Sequence, residues 1–235
     1  MSLSGLFPIE RWNFTTQSIL NVLSPQDFEF LITEQGAQKY AKGEVIFREE
    51  SVPSGIFYVH TGKVKKYKVD SLDKEQIIYV ANHGELIGYH AVLSEERYPD
   101  SAAALEACSI TFIPKEDFFA VLGRAPIFAQ RLLKALSHEY TVLANSISVF
   151  GQRTAAERLA IALIVLREKF KSKTTERQET FIDVSRNDLA SIAGIAQENV
   201  IRLLKDFKSE GIIETKGRKI VVIDIRQLVK RSNYK

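Results

Sequence analysis

The sequence predicts an α+β protein with a β-roll in its amino-terminal half and helices in its carboxy-terminal half. Short β-rich runs punctuated by glycines occupy residues 38–113, as in all-β rolls and barrels. No proline follows Pro126, and beyond it apolar residues recur at helical spacing. Two further β-rich runs, after residue 210, flank a Lys216-Gly217 turn signal. We therefore expect a β-roll, one long helix, and a helical domain that contains a β-hairpin.

A short helix is predicted ahead of the β-roll. Ser24 can cap a helix start, and Pro25 suits the first helical position. Phe28, Leu31 and Ile32 follow with apolar side chains. We expect this helix to have a packing role.

The β-rich runs also predict how their strands are buried. Residues 56–59 and 77–80 are apolar at every position, so both faces of each strand should be covered, as in a closed roll. The runs are EVIF from Glu44, GIFYVH from Gly55, KVKKYKV from Lys63, QIIYVA from Gln76 and ACSITFI from Ala107.

One long helix is predicted to begin at Pro126, because proline is well placed in a first turn. Its apolar residues are spaced 4, 3, 4 and 3, like the seam of a two-stranded coiled coil. These seam residues are Leu136, Tyr140, Leu143, Ile147 and Phe150. We expect them to join two parallel subunits into a homodimer. The alternative is a helix that lies on its own β-roll, and one helix has room for both contacts.

Two helical patterns meet at one glycine between residues 185 and 205. In the first, Ser185 can cap the helix start, and Asp188 gives it a capping-box shape. Small Ala190 allows two helices to cross closely, and Gly194 can adopt the positive φ that ends the helix. The spacing resembles that of a helix-turn-helix. An ordinary helical hairpin inside a core is the alternative.

The second helical pattern has one apolar and one polar face. Val200, Leu203, Leu204 and Phe207 recur at i, i+3, i+4 and i+7, so they should be buried. The opposite face carries Gln197, Glu198, Asn199, Ile201, Arg202 and Lys205. Such side chains suit base edges and phosphates, so this face is the predicted DNA-reading surface.

The closing β-hairpin predicts a wing beside the two helices, which weighs against a passive helical hairpin. We expect Arg186, Lys205, Lys216 and Arg218 to contact phosphates, although each charge can also be simply solvated. A strongly apolar helix over residues 155–171 should form the floor of this domain. Residues 171–179 are predicted as an exposed loop, and residues 228–235 as a short helix with a basic tail.

Charge is divided unevenly along the chain. Residues 153–235 carry 18 Lys and Arg against 11 Asp and Glu, or +7, whereas residues 1–152 carry 14 against 18, or −4. A cationic field attracts the phosphate backbone without regard to sequence. The charge distribution therefore indicates double-stranded DNA as the partner of the carboxy-terminal half.

Composition excludes several other classes of protein. Hydrophobic residues at 45% and charged residues at 26% describe a globular protein. No apolar run is long enough to span a membrane, and the amino terminus lacks the pattern of a signal peptide, so we expect a cytoplasmic protein. The single cysteine, Cys108, leaves no thiol set for a metal or iron–sulfur centre. No nucleophile–base pair or phosphate loop indicates an enzyme.

Four motifs in order resemble the cyclic-nucleotide-binding double-stranded β-roll of the Crp/Fnr family of bacterial transcription regulators. They are GEVIF from Gly43, GIFYVHTGKV from Gly55, GELIG from Gly84 and AAALE from Ala102. With ERL from Glu157 and the helix-turn-helix, the resemblance covers nearly the whole chain from about residue 25. It implies a sensor roll over residues 1–124, a dimerisation helix and hinge over 125–152, and a DNA-binding domain over 153–235.

The resemblance also implies a ligand pocket after Gly88. Members that bind cyclic AMP place a Glu for the ribose where this chain has Tyr89, and an Arg-Ser pair for the phosphate near Tyr98-Pro99. These departures argue against cyclic AMP and favour an empty or repurposed pocket. Candidate residues for another small-molecule effector are Gly88, Tyr89, His90, Arg97, Tyr98 and Ser101. The alternative for the aromatic ones is packing within the roll, and no metal or other cofactor is expected.

The resemblance implies a dimeric, sequence-specific DNA-binding transcription regulator that reads a palindromic operator. Glu198 and Arg202 match the family's base-reading positions, where they suit a cytosine amino group and guanine, and Ile201 suits a thymine methyl. Gln197 stands where several members have Arg. RNA polymerase is a further expected partner. The alternative is a ligand-sensing module that acts on protein partners without binding DNA.

Overall fold

The computed structural model describes residues 3, 5–13, 16–33, 36–171 and 179–234. Residues 172–178, most of the predicted loop, lie outside these ranges, as does Lys235. By internal contacts the chain forms two compact units, Phe14–Tyr140 and a second unit that joins Met1–Asn13 to Thr141–Lys235. The functional boundaries predicted at residues 124 and 152 stay a prediction.

The first unit consists of strands with short helices around them. Its helices are α1 (Gln17–Leu20), α2 (Pro25–Leu31), α3 (Tyr89–Ser94) and α4 (Lys115–Arg124). Its strands are β1 (Ala37–Tyr40), β2 (Val45–Phe47), β3 (Gly55–Thr61), β4 (Val64–Val69), β5 (Glu75–Ala81), β6 (Leu86–Ile87), β7 (Ser101–Ala104) and β8 (Cys108–Pro114). Ser24 Oγ accepts from the Asp27 amide at 3.1 Å, which confirms the predicted start of α2.

The strands form two four-stranded antiparallel sheets, ordered β1-β8-β3-β6 and β2-β7-β4-β5. Strand β3 is covered on both faces, as predicted. Ile56 and Tyr58 pack in a cluster with helix residues such as Phe118, whereas Phe57 and Val59 pack between the sheets. The same expectation for residues 77–80 is wrong at Ile78, which is 36% exposed. Strand β5 lies at the edge of its sheet, and its register with β4 shifts so that Ile78 has no partner between Ile77 and Tyr79, as in a β-bulge.

The long helix α5 (Pro126–Gln152) begins at Pro126, as predicted. Phe128 and Leu132, in its first turns, are buried in the cluster that joins the helices to β3. Leu136 packs half-buried against the same cluster. The first part of α5 therefore lies on its own β-roll.

The second unit is mostly helical, with one small sheet. Its elements are α6 (Ala155–Phe170), β9 (Phe181–Ile182), α7 (Arg186–Ala193), α8 (Gln197–Ser209), β10 (Ile213–Lys216), β11 (Lys219–Val222) and α9 (Ile225–Ser232). The three strands pair in the order β10-β11-β9. The order of elements confirms the predicted α+β fold of β-roll, long helix and winged helix-turn-helix.

Helix α6 is the floor of the second unit. Thr154 and Glu157 form a reciprocal capping box at its start, and most of its residues from Leu159 to Leu166 are buried. It packs against α7, α8 and α9. Helix α9 begins three residues before the predicted Leu228, because Asp224 caps it by accepting from the amides of Arg226 and Gln227.

The amino-terminal segment, residues 3 and 5–13, belongs to this second unit. Leu3 and Phe7 are each 4% exposed, and Trp12 is 9% exposed. The ring of Tyr234 lies 4.9 Å from that of Trp12 and 5.6 Å from that of Phe7, centroid to centroid. Asn145 Nδ2 donates to the Arg11 carbonyl at 3.1 Å. The segment thus packs on the end of the chain, which its sequence did not predict.

Replacing Tyr234 with alanine should expose Trp12, the one tryptophan of the chain. Loss of the edge-to-face contact and of ring burial should reduce the free energy of unfolding of this unit by roughly 1–3 kcal/mol. Tryptophan emission should move to longer wavelength. Lys230→Ala, at an exposed position of the same helix region, is the control and should leave the emission unchanged. An unshifted spectrum in Tyr234→Ala would contradict the packing.

Candidate nucleic-acid interface

Helix α7 has the capped start and the glycine end that the sequence predicts. Ser185 Oγ accepts from the Asp188 amide at 2.9 Å. Leu189 is fully buried, and Ala190 is 6% exposed. Gly194 has φ 61°, and the chain turns there so that the Ile195 amide donates to the Ala190 carbonyl at 3.1 Å. The helix-turn-helix geometry follows from these local contacts.

Helix α8 separates an apolar and a polar face as predicted. Val200, Leu203, Leu204 and Phe207 are at most 6% exposed. On the other face Ile201 is 54% exposed, Gln197, Glu198 and Lys205 are exposed, and Asn199 is half-buried. Ala196, at the N-cap, offers no side-chain acceptor to the first amides. This end of α8 therefore presents its backbone donors beside the predicted base-reading residues.

Arg202 extends along the exposed face of α8. Its Nη1 lies 3.5 Å from Asp206 Oδ2, and its Nη2 lies 3.5 Å from Asn199 Oδ1. The side chain is 62% exposed, so these contacts hold it weakly. The guanidinium is available to a base edge at little cost.

The wing is the hairpin of β10 and β11, in which Lys216 pairs with Lys219 across a turn at Gly217. Gly217 has φ 60°, a conformation that favours glycine. Arg218 Nε donates to Asp183 Oδ1 at 2.6 Å, and Lys216 Nζ lies 3.2 Å from Glu179 Oε2. The hydrogen bond with Asp183 raises the pKa of Arg218.

Arg186 contacts the wing turn itself. Its Nη1 donates to the Arg218 carbonyl at 3.0 Å, and its Nη2 lies 3.5 Å from the Gly217 carbonyl. Burial lowers the pKa of this guanidinium. The predicted phosphate contacts of Arg186, Lys216 and Arg218 stay predictions, but all three side chains already have partners within the protein.

Sequence reasoning missed Glu179 and Asp183, the carboxylates that hold the wing. Together with Phe181 they alternate with buried Ile182 and Val184, the period of a strand with one covered face. That alternation was a signal in the sequence. The alternation does not predict which cations these carboxylates contact, because the wing lies more than thirty residues further along the chain.

The exposed face of α5 carries four of the five predicted seam residues, whereas Leu136 packs half-buried against the roll. Tyr140 is 75% exposed and Ile147 73%, whereas Leu143 and Phe150 are 37% and 39% exposed. Leu133, seven residues before Tyr140, is 65% exposed and extends the same row. Val142 and Val149 are buried on the other side of the helix. A row of large apolar side chains exposed on one helix face is an apolar surface of the kind that coiled-coil helices bury against each other.

The candidate ligand residues of the roll do not converge on one point. Tyr89 and Tyr98 are buried, and Tyr98 stacks on Phe47 at 4.2 Å and donates to the Gly55 carbonyl. Gly88 has φ 82°, and a Cβ there would lie 3.1 Å from the Tyr98 ring. Ser101 Oγ accepts from the Glu49 amide at 2.9 Å. These residues are part of the roll's core.

Arg97 points to the outer surface. Its Nη1 donates to the Glu50 carbonyl at 2.6 Å, and it lines an open groove of about 880 Å³ together with Lys68 and Phe119. It therefore does not reach the interior where Tyr89 lies.

Glu139 of α5 is a buried carboxylate that sequence reasoning missed. Its Oε2 accepts from Tyr89 Oη at 2.6 Å and lies 2.9 Å from His90 Nε2. Burial acts to raise the pKa of Glu139, but the contact with His90, the charge of Lys66 and the hydrogen bond from Tyr89 together outweigh it, so the pKa lies below its ordinary value. The roll contains a second buried pair, in which Lys66 Nζ lies 3.1 Å from Asp100 Oδ2.

Burial raises the pKa of Tyr98 to about 12, and that of Tyr89 further still. Both phenols therefore stay neutral at physiological pH and act as hydrogen-bond donors. Cys108 is buried, and desolvation raises the pKa of its thiol.

Within the described ranges, no group of three or more His, Cys, Asp or Glu side chains is placed to hold a metal ion. Over the same ranges, none of the helices combines the length and apolar character needed to cross a bilayer.

Two family matches cover most of the chain. The cyclic nucleotide-binding domain matches residues 37–125, and the Crp-like helix-turn-helix domain matches residues 157–231. The first covers the β-roll, α4 and the residue before α5, and the second covers α6 to α9. The helix-turn-helix match favours DNA binding over a module that acts only on protein partners.

Similar proteins agree with these matches. Transcriptional activator protein anr of Pseudomonas aeruginosa is 29% identical over 187 residues, which cover 80% of this chain and 76% of that protein. Transcriptional activator protein FnrA of Stutzerimonas stutzeri is 29% identical over 204 residues, covering 86% and 83%. The solved structure of FixK2 from Bradyrhizobium japonicum superposes with a TM-score of 0.72 at 23% identity, covering 83% and 95%. At that identity the superposition speaks for the fold.

Glu139→Gln should make stability less dependent on pH in the acid range. The depressed pKa means that ionised Glu139 stabilises the folded state above its ordinary value of 4.5, and that this stabilisation is lost as pH falls through the folded pKa. At pH 7 the free energy of unfolding of the variant should be roughly 1–3 kcal/mol lower than that of the wild type. This difference should shrink below pH 4.5. Urea unfolding of both proteins from pH 3.5 to 7 measures it. Glu116→Gln, at an exposed position of α4, is the control; a difference that is constant with pH would refute the assignment.

Proposed function

We propose that this chain, which belongs to the Crp/Fnr family of DNA-binding transcription regulators, binds a palindromic operator as a homodimer. The observation that carries the proposal is α8, whose apolar face is buried while its polar face stays in water. The net charge of +7 over residues 153–235 adds a long-range attraction for the duplex.

Base reading is assigned to the amino-terminal half of α8. Arg202 forms a bidentate contact with guanine, Glu198 accepts from a cytosine amino group, and Ile201 contacts a thymine methyl. Gln197 and Asn199 offer further hydrogen bonds to base edges. Lys205, one turn beyond Arg202, contacts a phosphate. The exposure of these side chains on one face supports the assignment.

The dimer forms through the exposed apolar row of α5. A two-fold axis along this helix pair sets two recognition helices on successive major grooves, about 34 Å apart. Tyr140 and Ile147 are the centre of the row and the most exposed of its predicted members. Exposure of large apolar side chains at this spacing is costly in a monomer, which supports pairing.

The β-roll does not take cyclic AMP as its effector. The position of the family's ribose-binding Glu holds Tyr89, whose hydroxyl donates to Glu139 inside the core. Arg97 has its contact on the outer surface. Lys66 and Asp100, both buried in the roll, neutralise each other's charge at 3.1 Å. An effector, where one acts, has a different chemistry from a cyclic phosphate.

RNA polymerase is a proposed partner of the operator-bound dimer. The relatives in Pseudomonas and Stutzerimonas carry the name of transcriptional activators, which supports this partner.

Arg202→Ala and Lys205→Ala should weaken DNA binding in different ways. On an operator selected from a random library by the wild-type protein, Arg202→Ala should cost about 1–3 kcal/mol and relax the preference at one base pair. Lys205→Ala should weaken all duplexes alike and reduce the slope of log K against log salt by about 1. Fluorescence anisotropy over a salt series measures both. Identical behaviour of the two variants would refute the division between base and phosphate contacts.

Ile147→Asp should separate the subunits, because it puts a charge into the apolar row. Sedimentation or native mass spectrometry should show a monomer, and affinity for the operator should fall roughly 10²-fold or more as the second half-site contact is lost. Ser148→Asp, at the next and exposed position of the helix, introduces the same charge beside the seam and is the control. A dimeric Ile147→Asp protein would contradict the proposed interface.

A further inference from the structure

The wing turn is held by the protein from two directions. From one side, Arg186 in the first turn of α7 donates to the carbonyls of Arg218 and Gly217. From the other, Asp183 accepts from Nε of Arg218 at 2.6 Å. The first contact fixes the backbone of the turn, and the second fixes the side chain that the turn presents.

The contact with Asp183 leaves most of the Arg218 guanidinium unused. The hydrogen bond to Asp183 uses Nε alone, so the four N–H groups on Nη1 and Nη2 extend beyond the carboxylate. The side chain is 52% exposed, so these donors can be reached from solvent. Among the described residues neither amino group of this guanidinium has a hydrogen-bond partner, and such a tip matches the oxygens of a phosphate.

We propose that Arg186 and Asp183 are positioning residues that pre-organise the wing, so that Arg218 meets a DNA phosphate without first being ordered. The inference rests on the proposed function, since it concerns how the same domain binds DNA. It assigns Arg186 to the wing turn and not to the DNA backbone, which differs from what its sequence position predicts.

The physical gain is entropic. A free arginine side chain loses rotamer freedom when it is fixed. Asp183 already orders Arg218 in the unbound protein, so this loss of entropy does not weaken DNA binding. Asp183 also repels a phosphate bound by Arg218, and salt screens this repulsion only partly because the two groups lie closer than the Debye length of about 10 Å at 0.1 M salt. For Asp183 to favour binding, the ordering of Arg218 must outweigh this repulsion.

The substitution Arg186→Lys distinguishes two roles for this residue: a brace, meaning a side chain that holds the wing turn, and a direct ligand of a DNA phosphate. Lysine keeps the positive charge and still binds phosphate as a point charge, but it has no fork that bridges two carbonyls. As a brace, Arg186→Lys should weaken binding to operator and random 30-base-pair duplexes by the same factor, up to about tenfold at 0.1 M salt. As a direct ligand, Arg186→Lys should retain most of the affinity.

A double-mutant cycle with Arg218→Ala tests the route by which Arg186 acts. If Arg186 works through the wing, Arg186→Lys should cost little more once Arg218 is already alanine. Additive losses would overturn the proposal, because they mean two independent phosphate contacts. Asp183→Asn should also weaken binding; a tighter complex would show that Asp183 competes with phosphate and would equally overturn it. Glu214→Gln, an exposed carboxylate on β10, is the matched charge control.

A measurement without DNA separates this inference from the proposed function. Amide hydrogen exchange of β10 and β11 should become faster in Arg186→Lys, while exchange in α6 stays unchanged. Unaltered exchange in the wing would refute the brace whether or not DNA binds. If wild-type protein selects no duplex, the proposed function fails, and the exchange result still decides the role of Arg186.

Discussion

Burial of one face of α8 is the constraint on which the second unit depends. Val200, Leu203, Leu204 and Phe207 must leave water, and α6 supplies the apolar surface that receives them, together with α7 and the wing strand β10. Four side chains of this size contribute on the order of 1.5–3 kcal/mol each. This burial fixes the rotation of α8 about its axis. The rotation in turn decides that Glu198, Ile201 and Arg202 face water, so the same packing that stabilises the domain also exposes the face to which we assign base reading.

The β-roll depends on a similar division of faces, but its interior also contains charge. Glu139, Lys66 and Asp100 are buried ionisable groups, and each has a partner: Tyr89 and His90 for Glu139, and the opposite charge for the other two. Burying such groups without partners costs several kcal/mol. The polar contacts therefore specify how α3 and α5 fit the roll. They also occupy Tyr89 and His90, two of the predicted ligand residues, with contacts inside the protein.

Net charge and contact chemistry are separate properties of the DNA-binding domain. The +7 of residues 153–235 sets a field that acts over a Debye length, whatever the individual pairs. At contact distance the wing cations Lys216 and Arg218 are each held by a carboxylate. The long-range attraction does not depend on where each charged group lies, whereas a cation that the protein has already ordered is held in one position. The domain can thus be attractive to all DNA and still present its cations in one geometry.

Patterns that repeat within a few residues determined much of this protein by sequence alone. Capping at Ser185, the left-handed Gly194, the two faces of α8 and the exposed row of α5 all follow from local spacing, because helix geometry relates only neighbours three and four residues apart. Asp224 was also a local signal that the sequence prediction did not use: it caps α9, so the helix begins at Ile225.

Only the tertiary structure decided that Glu139 meets Tyr89 fifty positions away, that Arg186 holds the wing turn, and that Trp12 packs on Tyr234. It also decided that Ile78 lies on an edge strand, open to water. Such contacts depend on how the topology of the chain brings distant positions together. The local periodicity of the sequence does not predict them, because it relates only residues a few positions apart.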